Sequence, residues 1–262
     1  MNVPSLEYIA GLLAAYEAGH ASDHVHLGYW PDGTTLSWHA AQDAMTDLHV
    51  ASLSICDGMT IVDIGCGIGG SLRMINARLR DSTLIGVNID PRQLVVCSRQ
   101  GSSGGNRLSW IQSDAGQVPL HDASVDRILS LEAMFHFPDR AAFLVESARL
   151  LRPGGRLVCS DILFDTPCDA ESARWCDVVV QGYAPWPVPF LTAGNVAALG
   201  EGAGLRLLDS RDIAAKVAPT WGHIVSRRDS PEKSPVAAMC ALHDAALLHY
   251  QLFTFEKPFV AQ

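Results

Sequence analysis

Apolar residues recur along the chain in two rhythms, and the alternation of the two marks out most of the elements. Leu6, Ile9, Ala10 and Leu13 stand at helical spacing behind Ser5 as a cap and before Gly19 as a stop, which predicts a helix over 6–18. A polar and aromatic loop from His24 to Gly33 follows, and then a second helix over 36–53. From residue 60 onward, short apolar runs alternate with amphipathic ones. Strands are predicted at 60–64, 84–89, 108–112, 125–131 and 156–162. Between them lie helices at 70–79, from Pro91 to near Gly101, and at 139–151, the last closed by Pro153-Gly154-Gly155. Strands alternating with helices of about 10–15 residues build βαβ units. The expected fold class is therefore α/β, a doubly wound and mostly parallel sheet.

Beyond residue 162 the rhythm changes. Residues 163–190 are dense in Pro, Trp, Tyr and Phe; a helix over 193–202 and a strand over 204–208 restore the pattern. Residues 213–246 read as an insertion with a late helix, and 250–256 as a last strand. Long irregular segments in a domain of this kind serve as lids or binding elements; the alternative is a helical cover packed on the sheet.

Composition narrows the partner. The net charge of −9 comes without clustered Lys and Arg, which excludes the phosphate contacts of a nucleic-acid binder and leaves a small molecule as the expected ligand. Seven cysteines form no CxxC pair, and several sit in apolar runs, as free thiols of a reducing cytoplasm do. The first twenty residues lack a basic n-region, and no apolar run approaches the roughly 20 residues that span a bilayer. A soluble cytoplasmic protein is expected. Its oligomeric state is open, with a homodimer compatible.

The chemistry concentrates after the first strand of the alternating region. Asp63-Ile64-Gly65-Cys66-Gly67-Ile68-Gly69-Gly70 is a strand feeding a glycine turn and then a helix start with free amides. Gly65, Gly67 and Gly70 also satisfy GxGxxG, so an NAD-dependent oxidoreductase is one reading. Asp63 separates the two possibilities. A carboxylate two residues before the first glycine repels a pyrophosphate, whereas it suits a ligand carrying an ammonium and a sulfonium.

Five segments in order resemble the class I S-adenosylmethionine-dependent methyltransferases. They are Val62 to Gly69, Gly86 to Leu94, Ser113-Asp114-Ala115, Ser124 through Asp139, and Leu151 to Leu157. The loop Val25-His26-Leu27-Gly28-Tyr29-Trp30, with Asn88 and Gln93, is similar to small-molecule methyltransferases of natural-product pathways, such as antibiotic sugar O-methyltransferases. The resemblance implies S-adenosylmethionine as cofactor. It places Tyr29, Asp63, Gly65, Cys66, Gly67, Asn88, Ile89, Gln93, Asp114, Ala115 and Leu131 around it. Asn88 stands where the wider class has an acid on the ribose, and Asp90, two residues on, is the alternative. Residues 1–54 are then a helical segment covering the cofactor, and 55–262 the methyltransferase core with 163–190 and 213–246 as lid segments.

Ligands in such sheets lie outside the carboxyl ends of the strands, which makes His136 and Asp161 the candidate catalytic bases. In the sugar O-methyltransferases a histidine at the position of Phe135 works with an aspartate at that of Asp161. Phe135 departs from this pattern, so His136 substitutes or the reaction needs no strong base. Phe135, Trp175, Tyr183 and Trp186 are the candidate substrate wall, against ordinary core packing as the alternative. Ring faces also stabilise a sulfonium or a carbocation, which keeps C-methylation, or a cyclisation on the methyltransferase fold, in view. His24 and His26 have no third ligand at a recognisable spacing, so no metal is expected.

Overall fold

The computed structural model describes residues 7–32, 34–225 and 229–259. In chain order the elements are α1 (Glu7–Glu17), α2 (Trp38–Leu53), β1 (Thr60–Ile64), α3 (Gly70–Arg78), β2 (Thr83–Asn88), α4 (Pro91–Cys97), β3 (Arg107–Gln112), β4 (Val125–Ser130), α5 (Arg140–Leu150), β5 (Leu151–Phe164), α6 (Ala170–Gly182), α7 (Ala193–Gly202), β6 (Arg206–Asp212), α8 (Ala214–Val217), α9 (Trp221–Ile224), α10 (Pro235–Asp244) and β7 (Leu248–Glu256). Ser5 and Leu6 at the expected start of the first helix, and Gly33 in the loop after it, lie outside the described residues.

The strands form one sheet in the order β3-β2-β1-β4-β5-β7-β6. β1 pairs in parallel with β2 on one side and β4 on the other, and β4 with β5. β7 runs antiparallel between β5 and β6. The chain therefore winds outward in both directions from β1, and the crevice between β1 and β4 is the switch point where such sheets take their ligand.

Period-two alternation splits each central strand between two cores. Ile61, Leu84, Leu129 and Val158 face one side with Leu53, Leu72 and Ile75 of α2 and α3. Val62, Ile64, Val87, Ile128 and Leu157 face the other with Phe143 and Leu144 of α5 and Val196 of α7. Helix starts follow local chemistry. Ser37 caps α2, Asp90 with Pro91 opens α4, Asp139 caps α5, and Thr192 with Asn195 makes a capping box on α7.

One expectation needs correction. Pro153-Gly154-Gly155 does not lie outside the sheet: β5 begins at Leu151, and Gly154 and Gly155 exchange backbone bonds with Lys257 beyond β7. Of the two readings of 163–190, the structure takes the helical one, with α6 in its middle. Asp169 caps it, and Ser172, Cys176 and Val179, at i, i+4 and i+7, are its buried stripe. The prolines that suggested a loop all lie at its flanks. Among the described residues no helix is long and apolar enough to cross a membrane.

Candidate active site

A cavity of about 140 Å³ lies at the switch point. One end of it is backbone. Gly65 and Gly67 have φ of 82° and 55°, and a Cβ at Gly67 would stand 2.7 Å from Val25 Cγ2. These are positions where a side chain is both strained and in the way. Val87, Asn88, Ile89 and Gln93 continue the wall along the end of β2, and Ser113, Asp114 and Ala115 along the end of β3. A smaller recess shares Val25, Gly65 and Gly67 with the main cavity and adds Asp63, Cys66 and Leu131 together with His24 and His26.

Asp63 is 2 % exposed, and its carboxylate has no hydrogen-bond or ion-pair partner among the described residues. Burial alone pushes its pKa up to about 7. Such a group is costly unless a ligand completes it. An ammonium does so, and a pyrophosphate does not. The residues present thus fit S-adenosylmethionine: an orphaned carboxylate for the methionine end and a glycine cradle that a Cβ would fill. Asn88 donates to Gly67 O and to Gln93 Oε1 at 3.2 and 2.8 Å, which ties the glycine turn to the start of α4 and leaves both side chains on the cavity. Asp90 is not on the cavity wall. The strand has ended, and its carboxylate caps α4 and pairs with Arg92. Cys66 is buried beside Cys97, and that hydrogen bond together with burial raises its thiol far above the ordinary range.

The other end of the cavity is made of side chains. His136 follows β4 in a single 3-10 turn and borders the cavity. Its Nδ1 lies 2.8 Å from Pro185 O, which only accepts, so Nδ1 carries the proton. Nε2 then accepts from Tyr8 Oη at 2.7 Å. Burial holds the imidazole down at about 4, so it is neutral, with both nitrogens occupied by α1 and by the segment after α6. Phe135 and Tyr183 border the same space.

Four expected residues are elsewhere. Asp161 is fully buried in a two-pronged ion pair with Arg140, at 2.7 and 3.2 Å, and Arg140 also holds Val188 O. It does not reach the cavity, and its charge is already neutralised. Trp186 is 3 % exposed and stacks between Phe135 and Phe164 behind the wall. Trp175 packs against the same core from α6. Tyr29 does not border the cavity: its amide bonds Ala41 O of α2, the residue packs against the core, and Val25 meets the glycine turn instead.

Two ionisable residues on the wall escaped the reading of the sequence. Tyr8 gave no signal, since only the packing of α1 brings it across 128 positions to His136. Glu132 did give one: it is a lone acid in the apolar exit of β4. Its backbone has φ +52°, a region that non-glycine residues rarely adopt and that marks sites where the surroundings hold a residue against its preference. Glu132 Oε2 accepts from the Leu27 amide at 3.0 Å and from Tyr250 Oη at 2.8 Å. No partner of Oε1 is present among the described residues, and the side chain is accessible where it borders the cavity. Burial raises its pKa to about 7, against the downward pull of those two bonds. Among the described residues no group of three or more His, Cys, Asp or Glu is placed to hold a metal ion.

Comparison with known proteins agrees with this geometry. A family described as "Methyltransferase domain" matches residues 62–159. The chain is 36% identical over 204 residues to "Methyltransferase GfsG" of Streptomyces halstedii, covering 76% of this chain and 72% of that one. It is 28% identical over 240 residues to 27-O-demethylrifamycin SV methyltransferase of Amycolatopsis mediterranei, covering 89% and 81%. The fold is shared with the crystal structure of the [4+2]-cyclase SpnF at a TM-score of 0.74 and 21% identity, over 98% of this chain and 96% of that one.

Proposed function

Because the chain belongs to the class I S-adenosylmethionine-dependent methyltransferases and acts on a small molecule, we propose that its acceptor is a hydroxyl of an apolar natural product, with Glu132 as the base. When bound, S-adenosylmethionine supplies a methyl carbon activated by its sulfonium, and the carbon–sulfur bond breaks as the acceptor oxygen bonds to that carbon. Asp63 would hold the ammonium of the methionine end, Asn88 and Gln93 the ribose, and Asp114 with the Ala115 amide the adenine. Glu132 Oε1 takes the hydroxyl proton. The observation that carries this reading is a carboxylate fixed through one oxygen, open to the cavity through the other, and raised by burial to a pKa of about 7.

His136 is then a positioning residue. With Tyr8 and the Pro185 carbonyl it closes the acceptor end against water, and residues 163–190 act as the lid. The acceptor atom is supported by the name of a relative, whose acceptor oxygen is the 27-O of a rifamycin. Among the described residues the cavity wall contains no Lys or Arg, which favours an uncharged acceptor over a phosphorylated one. The dehydrogenase reading ends with the family assignment. A pericyclic cyclisation on the same fold transfers no proton and would have no use for a base at Glu132.

The test is incubation with S-adenosylmethionine and a panel of hydroxylated polyketides that includes 27-O-demethylrifamycin SV. A product heavier by one methylene, formed in step with S-adenosylhomocysteine, is expected. Conversion of a substrate without release of S-adenosylhomocysteine would favour the cyclase.

A further inference from the structure

The recess beside the glycine turn contains two histidines that methyl transfer itself does not use. His26 Nδ1 lies 2.8 Å from Leu27 O, His26 Nε2 lies 3.0 Å from His24 Nδ1, and His24 Nε2 lies 3.0 Å from Asp43 Oδ1. Leu27 O and the Asp43 carboxylate only accept, so both outer nitrogens carry protons. The two inner nitrogens need one more between them to form a hydrogen bond. That makes three protons on two rings, whereas two neutral imidazoles hold two. Thr46 Oγ1, 3.1 Å from His26 Nε2, can donate to that atom, yet this would leave His24 Nδ1 lone pair to lone pair with it. The geometry is that of an imidazole–imidazolium pair with Asp43 as its counter-ion.

The surroundings show what the charge is for. Both rings border the recess that also contains Asp63, and among the residues of its wall there is no Lys or Arg. The loop is pressed onto the start of α3, where a Cβ on Gly70 would stand 2.2 Å from Asp23 O and 2.7 Å from His24 Nδ1. The methionine end of the cofactor carries an ammonium and a carboxylate, and Asp63 answers only the first. We propose that His24 and His26 share a proton that supplies the positive charge facing the cofactor's carboxylate, so that cofactor affinity depends on that proton. The proposal rests on the cofactor assignment and adds to it a second recognition element at the opposite pole of the methionine end.

Groups on every neighbouring element bear on that proton. Asp43 from α2 and Asp23 from the loop favour it, while Arg73 of α3, which pairs with Asp23 at 2.7 Å, and His49 of α2 oppose it. Asp63 of β1 faces the same recess, and Cys66 lies beside it. Burial lowers the pKa of both histidines, and a carboxylate brought into the recess pulls it back up and favours the shared proton.

Calorimetry with S-adenosylhomocysteine and with 5′-deoxy-5′-(3-aminopropylthio)adenosine, the same molecule without its carboxylate, isolates this contact as a double-mutant cycle. The wild-type protein should bind the first roughly 10- to 100-fold more tightly than the second, through attraction between the shared charge and the carboxylate at an effective dielectric of about 20. In His24→Gln that ratio should collapse toward one, with affinity for the decarboxylated analogue nearly unchanged. Asp43→Asn, at a half-exposed position that spares the fold, should lower the ratio and move its loss to lower pH. In the wild type the ratio should fall as pH rises between about 5 and 8. A ratio that is the same in both variants as in the wild type, or constant with pH, would overturn the proposal. No binding of S-adenosylhomocysteine by the wild type would instead remove the cofactor assignment, and the proposal with it.

Discussion

The cavity has a backbone end and a side-chain end. At the first, Gly65, Gly67, Asn88 and Asp114 sit on consecutive turns of one βαβ unit after another, each placed by the strand that precedes it. At the second, Tyr8, Glu132, His136 and Tyr183 come from α1, the exit of β4 and the end of α6, and what joins them is hydrogen bonding between distant segments. Leu27 reaches Glu132 across 105 positions, and Tyr250 reaches it across 118. A backbone site accepts one cofactor and is intolerant of added atoms. A site of side chains on mobile-length connections is free to vary with the acceptor while the chemistry of the first end stays the same.

The contrast breaks most visibly at Gly67. Gly67→Val places atoms where Val25 already stands, at a φ that a β-branched residue resists. Loss of detectable S-adenosylhomocysteine binding is expected in a protein whose circular dichroism is unchanged. Retained affinity would mean that the glycine turn is not the cradle.

Arg140 and Asp161 test whether the acceptor end is held from behind. Arg140→Ala leaves a buried carboxylate without its partner, and a loss of about 3–5 kcal/mol in denaturant unfolding is expected. Arg140→Met with Asp161→Leu removes both charges and should recover most of that loss. The double variant should also keep its cofactor affinity, since neither residue borders the cavity. A fall in turnover far beyond the stability loss would return Asp161 to the chemistry.

The backbone end was legible because its signals are local. Asp63, the three glycines, the Asp90-Pro91 helix start and the alternation of Ile61 to Ile64 all act within a few residues of themselves. Asn88 against Asp90 was not decidable from spacing, because the answer depends on where β2 ends, and it ends at Asn88. At the other end composition pointed the wrong way for the largest rings. Trp186 belongs to an aromatic stack behind the wall, and nothing in Pro185-Trp186-Pro187 distinguishes that from a ring facing a substrate. His136 was found because it follows a strand on the proper edge. Its role changed when both nitrogens proved to be taken.

Two further effects sharpen the distinction. Trp186→Ala should cost about 3–5 kcal/mol as a core truncation, with cofactor affinity little altered in the folded fraction. Tyr8→Phe removes one hydrogen bond of the closure on His136, worth about 0.5–1.5 kcal/mol. It should raise the KM for the acceptor by a few-fold and leave S-adenosylhomocysteine affinity as it is. Equal losses for both ligands would show α1 to be part of the cofactor site.

Glu132 decides the central claim, and the pH dependence of single-turnover methyl transfer in wild type and Glu132→Gln reads it directly. Only the ionised carboxylate can take a proton, and burial places its titration near 7, so the wild-type rate should climb with pH below about 7 and level off above it. Glu132→Gln should be slower by about 10²–10⁴-fold and flat across that range. Its affinity for S-adenosylhomocysteine should be unchanged. A variant within a few-fold of wild type that keeps the same rise near pH 7 would contradict the assignment, and the acceptor would then lose its proton to another group or to water.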